Sequence, residues 1–93
     1  MDKLARGTQI AYVPTHIRDK NGYFNSKSSF IQFGFVTSGP TADECYFCRY
    51  WIGGTHFNEL RTVSNSERTP IDCIEVVASH DQALVDEMLE KYC

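Results

Sequence analysis

Long apolar runs are missing from this chain. No segment approaches the roughly 18 consecutive apolar residues of a membrane-spanning helix, so no bilayer span is expected. The opening Met1-Asp2-Lys3-Leu4-Ala5-Arg6 lacks an apolar core and a cleavage pattern of the secretory type, which predicts a cytoplasmic protein. A basic excess is missing too: 9 Lys and Arg against 12 Asp and Glu leave a net charge of −3. Non-specific DNA binding depends on neutralising phosphates with Lys and Arg, so this balance counts against it. The chain carries no phosphate-cradling glycine loop and no nucleophile elbow. A second Cys-x-x-Cys to complete a zinc set is also lacking.

What is present is a modest set of strand formers. With 93 residues and 42% apolar content, one domain with one small core is expected. Thr8 to Val13 is rich in β-formers, with Ile10 and Tyr12 on one face and Pro14 ending the run. Residues 14–29 are the longest polar stretch, with Asn21-Gly22 as a turn signal. Phe30 to Thr37 alternates, placing Ile31, Phe33 and Phe35 opposite Gln32, Gly34 and Val36. Gly34 weakens a strand unless it permits a bend or a close approach.

Glu44 to Trp51 is the most aromatic stretch and reads as the central strand. Cys45, Phe47, Arg49 and Trp51 share one face, and Tyr46, Cys48 and Tyr50 the other, which is expected to be the core. A fourth strand is expected over Glu59–Val63, a polar loop over Ser64–Thr69, a helical turn over Pro70–Asp72 and a fifth strand over Cys73–Val77. Ser79 and Gln82 fit a capping box for a helix from Asp81 to about Lys91. Its apolar stripe is Leu84, Val85, Met88, Leu89 and Tyr92. The layout is mainly β with one C-terminal helix: a five-stranded SH3-like barrel over about 7–78, then a helix over about 80–92. An open five-stranded sheet with a helix on one face has the same strand count.

Several pieces carry a likeness beyond the strand pattern. They are Gly7-Thr8-Gln9-Ile10-Ala11-Tyr12-Val13-Pro14, Phe33-Gly34-Phe35-Val36-Thr37-Ser38, Phe47-Cys48-Arg49-Tyr50-Trp51, Leu60-Arg61-Thr62, and Asn65-Ser66-Glu67 with Thr69-Pro70. In these the chain resembles, over almost its full length, a family of small proteins of tailed bacteriophages and prophages. The resemblance brings no chemistry with it. It implies a phage origin, a host bacterial cytoplasm, and action on host machinery or host defence, by binding host proteins or sequestering nucleotide signals.

The residues themselves nominate two surfaces. Arg49 between Phe47 and Trp51 suits stacking and cation–π contact with a base, a peptide or a partner. The competing reading is that the C-terminal helix covers this face and Arg49 pairs with Glu87 or Glu90. Arg61, Asn65, Ser66 and Arg68 form a second cluster, whose guanidinium forks suit phosphate or carboxylate. The bland alternative is a polar loop with surface ion pairs. Arg18, Lys20 and Lys27 make the long loop basic, either as an anion-catching arm or as a solvated loop.

The leading expectation is a non-catalytic binding module that holds a host protein or a small anionic or nucleotide ligand. Its contacts would come from Tyr12, Tyr50, Trp51, Arg49, His56, Arg61, Asn65 and Arg68, with no cofactor or metal. The alternatives are a small-barrel nucleic-acid binder and an enzyme pairing Cys45 or Cys48 with a histidine. Cys45 and Cys48 fall on opposite strand faces, which keeps them from sharing a metal. A homo-oligomer is compatible with the two-sided aromatic strand.

Overall fold

The computed structural model describes residues 3–25, 28, 30–52, 59–61 and 66–92. Five strands are present: β1 (Gln9–Tyr12), β2 (Gln32–Ser38), β3 (Cys45–Tyr50), β4 (Glu67–Pro70) and β5 (Ile74–Val76). They form one antiparallel sheet in the order β4-β3-β2-β1-β5, followed by the helix α1 (Gln82–Tyr92). A single 3-10 turn, Ile71–Cys73, links β4 to β5 as expected, and a second one, Thr15–Ile17, opens the long loop. The sheet is not closed, with β4 and β5 at its two ends. A closed barrel is therefore not what the chain shows; the open sheet with a helix on one face is.

The fourth strand lies further along the chain than the sequence pattern placed it. Leu60 makes only an isolated bridge to Trp51, and the ladder on β3 runs from Cys45↔Pro70 to Cys48↔Glu67. Glu67-Arg68-Thr69-Pro70 has no apolar alternation to reveal it, because only Thr69 is buried. Edge strands often carry charge and proline, which suits a row that bonds on one side only.

Both faces of the sheet are covered. On one, Ile10, Val36, Tyr46, Cys48, Tyr50 and Ile74 form a cluster flanked by Leu4, Tyr12 and Ile71. This is the face to which alternation assigned Tyr46, Cys48 and Tyr50. On the other, Phe35, Trp51 and Leu60 pack against Val85 and Leu89 of α1, with Phe33, Leu84 and Met88 alongside. The helix stripe has thus found its partner in the aromatic side of β2 and β3, removing large apolar surfaces from water at about 25 cal/mol per Å².

Gly34 lies on β2 where it faces β3. It pairs with Tyr50, and a Cβ there would run into the Arg49 carbonyl oxygen and lie 2.8 Å from Tyr50 Cδ1. Close approach of the Arg49 backbone, with the Tyr50 ring behind it, rather than a barrel bend, is the reason for this glycine.

A buried glutamine fastens the helix. Gln9 Oε1 accepts from the backbone N–H of Ser79 (3.1 Å) and His80 (2.9 Å), and its Nε2 donates to the His80 carbonyl at 2.8 Å and to Gln82 Oε1 at 3.2 Å. The helix cap is Asp81, whose carboxylate accepts from the N–H of Ala83 at 3.0 Å. Ser79, expected as the cap, instead bonds through its hydroxyl to the neighbouring His80 Nδ1 at 2.8 Å. The helix begins two residues later than a Ser79 cap requires, because Gln9 occupies the backbone around Ser79. Gln82 Nε2 also donates to the Gly7 carbonyl at 3.0 Å, tying the first turn of α1 to the segment before β1.

Candidate functional site

The Phe47-Arg49-Trp51 face resolves in favour of coverage. Trp51 is 3% exposed and Arg49 4%. The indole lies 5.6 Å from the Phe35 ring and stacks flat on His80, with centroids 4.2 Å apart and planes inclined by 14°. Arg49 pairs across the strands with Phe35, on the same side. Neither side chain is open to an incoming ligand, so the expectation that Arg49 and Trp51 form a binding surface is corrected: they build the core between sheet and helix. The alternation of β3 made both outcomes possible; the docking of α1 chose between them. Phe47 is half-buried.

The long loop is corrected in part. Arg18 does not reach outward for anions. Its guanidinium pairs with Glu75 of β5 at 2.7 Å, donates to the Gly22 carbonyl at 3.0 Å, and lies over the Phe24 ring at 5.0 Å. Asp19 organises the Asn21-Gly22 turn by accepting from the N–H of Asn21 (2.8 Å) and Tyr23 (3.0 Å). His16 packs edge-on against Phe30, with centroids 5.1 Å apart. Lys27 lies outside the described residues, as do the nominated His56 and Asn65.

The remaining nominated residues converge. Tyr12 from the end of β1, Arg61 from the segment beside Trp51, and Arg68 from β4 line one cleft with Gln32, Tyr50, Glu67, Thr69 and Pro70. Its volume is about 250 Å³, below the roughly 300–1,000 Å³ of sites for drug-sized ligands. One planar ring with a small substituent suits that size. The Tyr12 and Tyr50 rings meet edge to face at 6.3 Å and 73°. Arg61 holds its guanidinium carbon 5.2 Å from the Tyr50 ring centroid, a cation–π arrangement.

Arg61 and Arg68 both have carboxylate partners, and the register of Arg68 opposite Phe47 starts its side chain on the sheet face away from Glu67 and Thr69. Arg61 Nε donates to Glu67 Oε2 at 3.0 Å, and its Nη2 lies 2.5 Å from each Glu67 oxygen. Arg68 pairs with Asp43. These groups are about 35–59% exposed, so each pair contributes little to folding stability on its own.

Beneath the cleft the polar groups are buried and mutually satisfied. The Tyr50 hydroxyl bonds to Thr69 Oγ1 at 2.6 Å. Burial pushes the Cys48 thiol up to about 11, with hydrogen bonds from Thr69 and Tyr50 acting in the opposite direction. Burial and the neighbouring Cys48 likewise push the Tyr50 phenol well above its ordinary value. A thiol that holds its proton at neutral pH is a poor nucleophile, which counts against a cysteine-based reaction at this position. Cys45 is buried as well, and its place on the unbroken strand β3 sets it on the face opposite Cys48. No cluster of metal-ligating side chains occurs among the described residues.

Gln32, Glu67, Thr69 and Pro70 are the cleft residues that sequence reasoning missed. The available signal was the proline that ends Glu67-Arg68-Thr69-Pro70 as an edge strand, which sets Glu67 and Thr69 on the Tyr46–Cys48 side of β3. No family model, curated protein or solved structure matches the chain. Among the described residues, no helix is long and apolar enough to cross a membrane.

Proposed function

We propose that the protein is a non-catalytic binding module whose cleft between Tyr12, Tyr50 and Arg61 takes a small anionic ligand of the nucleotide class. One observation carries this reading: β1, β2, β3 and the segment beside Trp51 bring two tyrosine rings, an amide and the Arg61 guanidinium to one small cleft. Aromatic rings stack any base through its π-face. The Gln32 amide offers a donor and an acceptor side by side, the pattern a base edge requires. Guanidinium forks match phosphate. The setting is that of the phage-type resemblance, in which a small protein sequesters a nucleotide signal in the host cytoplasm. The fold would be an opened relative of the SH3-like barrel, supported by the strand order and the 3-10 turn before β5.

The test is a thermal-shift screen against nucleoside monophosphates, cyclic nucleotides and short oligonucleotides. A ligand at about 100 times its Kd stabilises by about 2.7 kcal/mol, a shift of roughly ten degrees or more for a domain of this size. The expected result is stabilisation by a mononucleotide that is lost in Arg61→Gln and in Tyr12→Ala. Salt-sensitive stabilisation by oligonucleotides alone would favour the nucleic-acid reading. Absence of any shift, together with stoichiometric capture of a host protein, would overturn the nucleotide reading.

A further inference from the structure

We propose that the outer edge of β5 pairs with β5 of a second copy of this chain, joining two five-stranded sheets into one. This surface is separate from the cleft and does not depend on its role. The direction of the backbone groups is the starting point. The Val77 N–H donates to the Gln9 carbonyl at 3.3 Å, and the Val13 N–H donates to the Cys73 carbonyl at 2.7 Å. Hydrogen-bonded positions alternate along an antiparallel pair. Cys73, Glu75 and Val77 therefore turn their backbone groups to β1, and Ile74, Val76 and Ala78 turn theirs outward. The Ile74 N–H is held by the Ile71 carbonyl in the 3-10 turn. That leaves the Ile74 carbonyl, both groups of Val76 and the Ala78 N–H along an edge where the sheet ends. No hydrogen bond among the described residues takes up these four groups.

The two edges of the sheet meet solvent differently. β4 carries Glu67, Arg68 and Pro70, residue types that keep an edge from pairing with another chain. β5 carries no lysine, arginine or proline, and its one charged side chain, Glu75, is already paired with Arg18 at 2.7 Å. Val76 is 61% exposed and the following Val77 is 37% exposed. Valines on an edge without such protection are a template for a further strand.

The edge is complementary to itself. A two-fold axis at Val76 sets the two Val76 residues opposite each other, and Ile74 opposite Ala78 of the second copy. Each Val76 N–H then donates to the other Val76 carbonyl, and each Ala78 N–H to the Ile74 carbonyl across the axis. All four outward groups of both edges are used. Val76 lies on the side of Ile10 and Ile74, so the exposed valines extend that apolar cluster. On the opposite side Glu75 faces Val77 of the second copy, which keeps like charges apart. An axis at Glu75 would instead set two carboxylates directly opposite, which destabilises a strand pair. The contact is at the small end of specific interfaces, so pairing depends on concentration.

Sedimentation equilibrium from about 10 µM to about 1 mM, a range that covers weak association, is expected to show a reversible monomer–dimer equilibrium. Amide hydrogen exchange over the same range gives a second readout. Exchange at Val76 and Ala78 should slow about fivefold or more as the dimer fills, while the Val77 N–H, already bonded to β1, changes little. Val76→Lys sets two ammonium groups at the axis and should sediment as a monomer throughout, with the urea midpoint followed through Trp51 reporting its folding. Val76→Thr keeps the strand propensity and the backbone groups, and should still dimerise. Should Val76→Lys fail to fold, the exchange pattern of the wild type decides. Wild type that stays monomeric to about 1 mM overturns the self-pairing, even where the edge proves to take a different chain. A dimer that persists in folded Val76→Lys, or that forms without slower exchange at Val76 and Ala78, lies at another surface and overturns it as well.

Discussion

Replacing Gly34 by alanine tests the account of the sheet most directly. By propensity alone the change should help, since glycine inside a strand loses more chain entropy than alanine, by roughly 0.5–1 kcal/mol. The structure predicts the reverse. The added Cβ meets the Arg49 carbonyl oxygen, which is backbone and cannot rotate away, and Tyr50 Cδ1 at 2.8 Å. Relief requires β2 and β3 to part at the Gly34–Tyr50 pair, with the Tyr50 ring moving off its partner. Overpacking of this kind costs typically 1–3 kcal/mol. After the propensity gain is subtracted, the middle of the two ranges leaves a net loss of about 1 kcal/mol. For a domain near 100 residues each kcal/mol moves Tm by about 4–8 °C, so a fall of roughly that size is expected. The single, buried tryptophan makes the assay simple: urea unfolding followed by Trp51 fluorescence, with the m-value checked for two-state behaviour. A Gly34→Ala protein as stable as wild type, or more so, would refute the close-approach explanation.

Other expectations follow from the buried polar groups. Cys48 should resist thiol reagents in the folded state near pH 8 and react only on unfolding. Its folded pKa, raised by burial from 9.0 to about 11, contributes stability that is fully present below pH 9 and lost as pH rises through 11. The lost term is about 2–3 kcal/mol, and Cys48→Ala should flatten that part of a stability-against-pH curve. Gln9→Ala should cost about 2–4 kcal/mol, because it removes four hydrogen bonds at the helix start, and it should red-shift Trp51 emission as α1 loosens. Gln9→Glu should not restore that stability, because its second carboxylate oxygen would be buried against the His80 carbonyl and Gln82 Oε1, both acceptors. Asp81→Ala should cost about 1 kcal/mol in urea unfolding, whereas Ser79→Ala should cost distinctly less if Asp81 is the cap.

Much of the fold was legible before any coordinates. Strict alternation in Phe33–Val36 and Tyr46–Tyr50 assigned each residue its face, since side chains in a strand can point only two ways. The stripe Leu84, Val85, Met88 and Leu89 announced a helix that had to cover something. The fourth strand was not legible, because an edge strand that buries only Thr69 carries no apolar rhythm. The site was legible in part. Tyr12, Arg61 and Arg68 were nominated as residue types able to stack and to grip an anion, and they do line one cleft. Arg49 and Trp51 were nominated on the same grounds and are buried.

The residues of Glu44 to Trp51 by themselves determined a strand with two apolar faces, and separated Cys45 from Cys48. Local pattern sets such features because backbone geometry is local. What only the tertiary structure decided is which aromatic face the helix would take and which would border a cleft. That choice depends on contacts between segments as distant as Gln9 and His80, or Arg61 and Tyr50, and no local periodicity encodes them. Once α1 had claimed Trp51, Arg61 and the tyrosines of the opposite face were left to line the cleft.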